Sequence, residues 1–449
     1  MKNLIKQKVA VLGSGLTGKA IAMALLDLNI DVDLIEQTSP PKNFKSNVTL
    51  SISDASLKIL QSLGMKKNKF NSWPLQKIIL FDGLTKEAKP DTEFYNIDNK
   101  KFLSHIVKRN DLEKEISNRL KKVKFIKKKI LSIEGKGFLK KIIFQNKKTS
   151  EYNLIIATQF SNLKLLSNEK KLNWDYSETA YTFVIHHKKL TNNCARQFFL
   201  KDGPLAFLPI SNTHTSIVWS VKNKSDAEKI VLNYEARLNF LKMISVGFYE
   251  VISCTNKLEK FDLTFEFLRR TVLSRVIFMG DITHKIHPIA GQGWNMTLRD
   301  INILVSILKE KLNKGYDIGD LGILKEYEKK TKASNLLFAM SIDQRVLALA
   351  DAHGGWLREP VEFRRSLQRI QLRGELAHAR QNVRQLRELV CVACDLFEGS
   401  DESIHLVAFF LDQRLQSGGK DCECKLLTLD SEDRSQFFLV GHRVLWQNT

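Results

Sequence analysis

Cysteine is scarce in this chain, with 6 in 449 residues. That is too few for a disulfide framework, so a reducing, cytoplasmic setting is expected. No uninterrupted apolar run is long enough to span a bilayer. The first apolar run is already a strand feeding a glycine-rich turn, which leaves no signal-peptide core. Acid is short as well: 49 Asp and Glu against 70 Lys and Arg give a formal net charge of +21. Such an excess raises nucleic acid as a partner. The lysines are scattered, however, in short runs such as Lys127-Lys128-Lys129 and Lys147-Lys148, and no aromatic-and-basic nucleic-acid motif accompanies them. A solvated lysine-rich face is the plainer account, with attraction to anionic lipid headgroups next. Nucleic acid is not expected. The length allows about two or three domains.

Two glycine motifs carry chemistry. The first is Gly13-x-Gly15-x-x-Gly18, set between an apolar strand, Val9 to Leu12, and a helix expected over Lys19 to Leu28. A second strand, Asp31 to Ile35, ends at Glu36. Gly13 makes the tight turn, Gly15 admits a pyrophosphate, Gly18 lets helix and strand pack closely, and Glu36 accepts hydrogen bonds from ribose hydroxyls. The second motif runs from Gly280 to Asn295. An acid, Asp281, follows the apolar strand Val276 to Met279, and Pro288, Gly291 and Gly293 then precede a helix. Glycine lets backbone N–H groups approach a ligand, and a helix N-terminus favours negative charge. Together the two motifs point to a flavin. Asp281, His284 and His287 have a spacing that raises a metal, but the proline and glycines make the segment a turn with too few ligands, and no metal is expected.

Between the motifs, a helix is expected over Ser53 to Leu63 and another from Arg109, with paired strands from Phe125 to Phe144 around Gly135-Lys136-Gly137. Leu154 to Ala157 is wholly apolar, as a buried parallel strand should be. Several β-prone runs follow from Thr179 to Val221. The expected architecture is α/β: a Rossmann-like nucleotide-binding domain (residues 1–70, 100–165 and 268–343) with an inserted mixed-sheet substrate domain (71–99 and 166–267). A cleft between them would hold the reactants. Trp219 and Trp294 are read as core more readily than as a ring-binding pocket, and Cys194 and Cys254 as small buried hydrophobes.

Composition changes near Asp343-Gln344. Residues 1–343 hold 48 Lys and 8 Arg; residues 344–449 hold 2 Lys and 12 Arg. Surface physics does not demand such a switch, so residues 344–449 are treated as a mainly helical extension of different origin, a fused module or a junction artefact. Helices are expected over Val361 to Leu396 and Ser403 to Leu415. Lys425 to Leu429 and Phe437 to Trp446 are expected to pair as strands. Cys391-x-x-Cys394 with Cys422-x-Cys424 is weighed as a zinc site, and ordinary thiols are preferred.

With these residues in view, residues 5–343 resemble the FAD-dependent aromatic hydroxylases of the hydroxybenzoate-hydroxylase type, and more narrowly the ubiquinone-biosynthesis hydroxylases. The two glycine motifs mark the wider class. The stretch Ala195-x-Gln197-x-Phe199, Gly203-Pro204-Leu205-Ala206-Phe207-Leu208-Pro209-Ile210 and Val218-Trp219-Ser220 marks the narrower branch. The resemblance implies FAD, with NAD(P)H as reductant and oxygen as co-substrate. It implies that Gly13, Gly15, Gly18 and Glu36 hold the adenosine diphosphate half, that Arg109 contacts flavin, and that Asp281 binds the ribityl chain. Pro288, Gly291, Gln292, Gly293 and Asn295 would lie beside the ring. The implied substrate is a polyprenylated phenol, met at the inner membrane surface or within a biosynthetic complex. The class carries Asp-Gly after the strand that here ends at Ala157; this chain has Thr158-Gln159-Phe160. A basic residue common near Ser46 is also missing, Lys45 being the nearest. These departures keep a second reading open, a flavin-binding scaffold without turnover, and a third, another flavin oxidoreductase on this fold. No general base is identified.

Overall fold

The computed structural model describes residues 6–37, 46, 48–65, 71–83, 92–95, 102–166, 171–288, 291–352, 435–440 and 443–448. A six-stranded sheet organises the nucleotide-binding side. Its order is Val272–Leu273, Val276–Phe278, Leu154–Ala157, Lys8–Leu12, Asp31–Glu36, Lys124–Lys127, all parallel except the first pair. The central strands are apolar throughout because both faces are covered. Val9, Val11, Leu154 and Ile156 face one core with the helices; Ala10, Leu12, Ile155 and Ala157 face a second, with Ile142, Phe144 and Tyr152 of an antiparallel three-stranded sheet. That smaller sheet is the expected hairpin, Ile130–Lys136 with Leu139–Phe144, extended by Thr149–Tyr152.

The helix after the fingerprint spans Leu16–Leu25 and continues as a 3-10 turn, Leu26–Leu28. It begins one turn earlier than the sequence suggests, because its N-cap is Gly15, which has no side chain to signal the start. Ser53 does signal its helix, Asp54–Ser62: its hydroxyl accepts from Ser56 N–H. The β-prone runs form an 11-stranded mixed sheet. At its middle lie Lys171–His187, His214–Lys222, Gly203–Pro209, Cys194–Leu200 and Lys77–Asp82. Helices Asp226–Leu232 and Tyr234–Ile244 bury their apolar faces against it. Trp219 is buried there and stacks on Phe240 at 4.7 Å, and Cys194 and Cys254 are buried beside it, so all three are core.

Two short segments connect the sheets. His284–Lys285, inside the second glycine motif, pairs with Glu259–Leu268 at the edge of the large sheet. Thr49–Ser53 pairs with Ser104–Lys108, and Thr49 Oγ1 donates to Ser216 Oγ of the large sheet at 3.1 Å. The motif therefore sits where the two sheets meet.

The last helix of the main body runs Leu321–Ala352, straight through the change in composition at residue 343. The strand expected over Phe437 to Trp446 is instead a hairpin of its own, Ser435–Val440 with Arg443–Asn448, and its second strand pairs with Thr92–Tyr95 at Arg443↔Glu93. The apolar run on either side of Gly441-His442 conceals the division into two strands. The expected partner strand 425–429, the helices at 361–396 and 403–415, and the Cys391, Cys394, Cys422 and Cys424 set lie outside the described residues.

Candidate functional site

Two of the fingerprint glycines, Gly13 and Gly18, are required by a close approach. Gly13 has φ +120°, and its N–H donates to Ile35 O at 3.0 Å, which ties the end of one strand to its neighbour. A Cβ on Gly18 would lie 1.8 Å from Gly13 O, so only glycine lets the helix reach the turn. Gly15 differs. It is extended, at φ −70° and ψ −177°, and nothing lies within 4 Å of where its Cβ would be. That open space faces a helix whose N-cap makes no side-chain bond and whose first turn carries no acid. Unclaimed N–H groups beside an empty cradle are what a pyrophosphate needs. Glu36 ends the next strand, 8% exposed, with Lys127 Nζ at 3.7 Å. The residues thus fit the adenosine diphosphate half of FAD.

The second motif is locked to the first by another close approach. Gly280 has φ +83°, and a Cβ there would fall 2.8 Å from Thr17 Cγ2 in the fingerprint helix. This places Asp281 beside that helix, exposed, on a short 3-10 turn. Further on, Gly291 at φ +59° closes a turn by donating its N–H to Pro288 O at 2.9 Å. The helix Gly293–Asn313 follows, with Gln292 as an N-cap whose side chain makes no capping bond to the backbone N–H groups and with no acid in its first turn. A second N-terminus is therefore open to an anionic group. Asn295 is buried and acts as a brace. It donates to Ser51 O at 2.9 Å and Gln292 Oε1 at 3.0 Å, and accepts from Ser53 N–H at 3.1 Å. Gly291 would place a Cβ 3.3 Å from Ser51 Cβ, so the loop lies on the Thr49–Ser53 strand.

Arg109 opens the helix Arg109–Arg119, and its N–H donates to Val48 O at 3.0 Å. Its side chain is half-buried, and its helix is tied to the fingerprint helix by the Lys19–Glu113 ion pair at 2.7 Å. Ser46 itself is buried and donates to Glu259 at 2.8 Å, while Lys45 lies outside the described residues.

His284 and His287 have partners of their own. His284 Nε2 lies 3.3 Å from Asp300, whose carboxylate also accepts from Asn335 Nδ2 at 3.0 and 2.9 Å. His287 Nε2 lies 3.2 Å from the buried carboxylate of Glu178. A bulge in the long strand, between Asp175 and Glu178, aims Glu178 there and sets Tyr176 edge-on to the same imidazole at 5.4 Å. Among the described residues no group of three His, Cys, Asp or Glu is placed to hold a metal ion. The sequence offers no sign of these pairings, because each joins residues far apart in the chain.

Residues 162–335 match the FAD binding domain family. The chain is 25% identical over 399 residues to the ubiquinone biosynthesis monooxygenase COQ6, mitochondrial, of Danio rerio, covering 75% of this chain and 81% of the relative. It is 22% identical over 364 residues to the 3-demethoxyubiquinol 3-hydroxylase of Escherichia coli, covering 75% and 88%. The chain thus carries a match to an FAD binding domain and is similar to named monooxygenases and hydroxylases over three quarters of its length. The fold of the chain also matches a solved structure, pqsL, a probable FAD-dependent monooxygenase from Pseudomonas aeruginosa. The TM-score is 0.66 at 14% identity, covering 77% of this chain and 97% of that one. The family match begins at residue 162. The fingerprint glycines precede that span, and their reading rests on the geometry above.

Proposed function

We propose that this protein is a monooxygenase that hydroxylates the aromatic ring of a polyprenylated phenol in ubiquinone biosynthesis, using NAD(P)H and oxygen. The observation that carries this reading is the Gly280–Thr17 contact, which joins a dinucleotide turn and a ring-binding loop into one site at the meeting of two sheets. Gly13, Gly15, Gly18 and Glu36 hold the adenosine diphosphate half, Asp281 the ribityl chain, and Pro288, Gly291, Gln292 and Gly293 line the ring. Asn295 fixes that loop, and Arg109 contacts the flavin. FAD, when bound, supplies the redox and oxygen chemistry that side chains lack. The chain's own part is to orient: the N-terminus of the Gly293 helix favours negative charge near the ring, and the large sheet closes the site against water.

The division of labour follows. Residues 1–70, 100–165 and 268–343 bind the cofactor, and 71–99 with 166–267 shape the substrate side. Among the described residues no helix is long and apolar enough to cross a membrane, so a prenylated substrate is met by peripheral contact, through lysines that attract anionic headgroups, or is handed over within a biosynthetic complex.

The deciding experiment supplies the FAD-loaded protein with NAD(P)H, a prenylated phenol and isotopically labelled oxygen. The expected result is one labelled oxygen atom in the ring. Reductant oxidation with no labelled product would favour another flavin oxidoreductase. A second reading, a flavin-binding scaffold without turnover, is motivated by Thr158-Gln159 in place of Asp-Gly; phenol-stimulated NAD(P)H oxidation would rule it out.

A further inference from the structure

The segment that departs from the family pattern is tied closely to the fingerprint. Leu12 O, just before Gly13, accepts from three donors: Thr158 N–H at 3.0 Å, Thr158 Oγ1 at 3.0 Å and Asn162 Nδ2 at 3.3 Å. Asn162 is fully buried, and its carboxamide oxygen accepts from Gln37, the residue after Glu36. Gln37 Oε1 in turn accepts from Ile130 N–H at 3.2 Å. This bracket spans the ends of three neighbouring parallel strands and leaves residue 159 little freedom.

Gln159 lies directly on the turn. Its Cγ and Cδ are 2.9 and 3.2 Å from the point where a Cβ of Gly13 would stand. It is half-buried, and its backbone carbonyl accepts from Asn162 N–H at 3.0 Å. Its carboxamide makes no hydrogen bond among the described residues. In sheets of this kind ligands bind beyond the carboxyl ends of the strands, and Gln159 stands two residues past the end of the strand at Ala157, which pairs with Leu12. A carboxylate here would face the phosphates of the cofactor with like charge, whereas a carboxamide offers two N–H donors.

We propose that Gln159 is a cofactor-contacting residue of this chain, donating its carboxamide N–H to an oxygen of the adenosine monophosphate part of FAD. The inference rests on the FAD reading of the site. Bonds to charged acceptors are among the stronger hydrogen bonds, so loss of this one weakens FAD binding about tenfold.

The test is a fluorescence titration of the full-length apoprotein with FAD, and separately with FMN, which lacks the adenosine half. Gln159→Met keeps the packing on Gly13 and removes only the amide; Gln159→Ala removes both. The expected result is FAD binding weakened about tenfold in both variants, with FMN binding unchanged. Gln159→Met binding FAD as the unsubstituted protein does would overturn the contact and leave Gln159 a packing residue. Equal weakening for FAD and FMN would also overturn it, because the effect would then not lie at the adenosine end. An unsubstituted protein that binds no FAD would instead defeat the flavin reading, an outcome visible before any variant is made.

Discussion

At the residue scale, the fingerprint glycines separate fold from ligand. Gly18 is pressed against Gly13 O, and Gly15 faces open space. Gly18→Ala is therefore expected to destabilise the protein by about 1–3 kcal/mol through overpacking, seen as a lower midpoint in thermal unfolding. Gly15→Ala is expected to leave that midpoint within about 0.5 kcal/mol of the original and to weaken FAD binding about tenfold or more, by filling the space a pyrophosphate needs. Equal loss of stability in both variants would contradict this assignment. These positions were legible in the sequence because each backbone demand is met by one residue type. Asn162 and Gln37 were not, because their bonds join residues 12, 37, 130 and 162, and nothing local in the chain marks such a bracket. Asn295 was expected beside a flavin ring; nothing in the sequence marked it as the brace on Ser51 and Ser53 that the fold makes of it.

At the element scale, the helix Gly293–Asn313 is held by a buried polar cluster as well as by apolar packing. Asp300 serves both His284 and Asn335, and the latter also accepts from Arg299 at 2.7 Å. A cavity of about 10 Å³ lies among these residues, the size of a single water site. Asp300→Ala would leave several buried donors without an acceptor, and a loss of about 3 kcal/mol is expected in urea unfolding. The loop between the last two long helices gives a pH prediction. Burial alone would raise the Asp317 carboxyl, but hydrogen bonds from Arg275 and from Gly319 N–H outweigh it and hold the carboxyl below its ordinary value. A depressed folded-state pKa gives stability that is present above the ordinary Asp value and is lost as pH falls through the depressed one. Asp317→Asn should therefore lower the unfolding midpoint at neutral pH, and the difference should disappear in strong acid. A difference that persists unchanged at acid pH would show that the ion pair is not its source. The parallel strands were readable from their unbroken apolar runs. The early start of the fingerprint helix was not, since a glycine N-cap sends no signal, and the division of Phe437 to Trp446 between two paired strands was hidden by the apolar run around it.

At the scale of the whole molecule, the α/β class and the large second sheet follow from strand patterning, while the meeting of the sheets depends on His284–Lys285 and Thr49–Ser53, segments too short to announce themselves. The change of composition at residue 343 is real in the sequence, yet one helix passes through it to Ala352. Every proposed cofactor contact lies before it, so a chain ending at Ala352 is expected to bind FAD with the affinity of the full chain. The measurement that tests the account most directly is the visible absorbance spectrum of the full-length protein after incubation with FAD and removal of the free cofactor. Retained flavin bands, bleached by NAD(P)H, are the expected result. A protein that emerges colourless, while folded by circular dichroism, would contradict the central claim that its two glycine motifs form one flavin site.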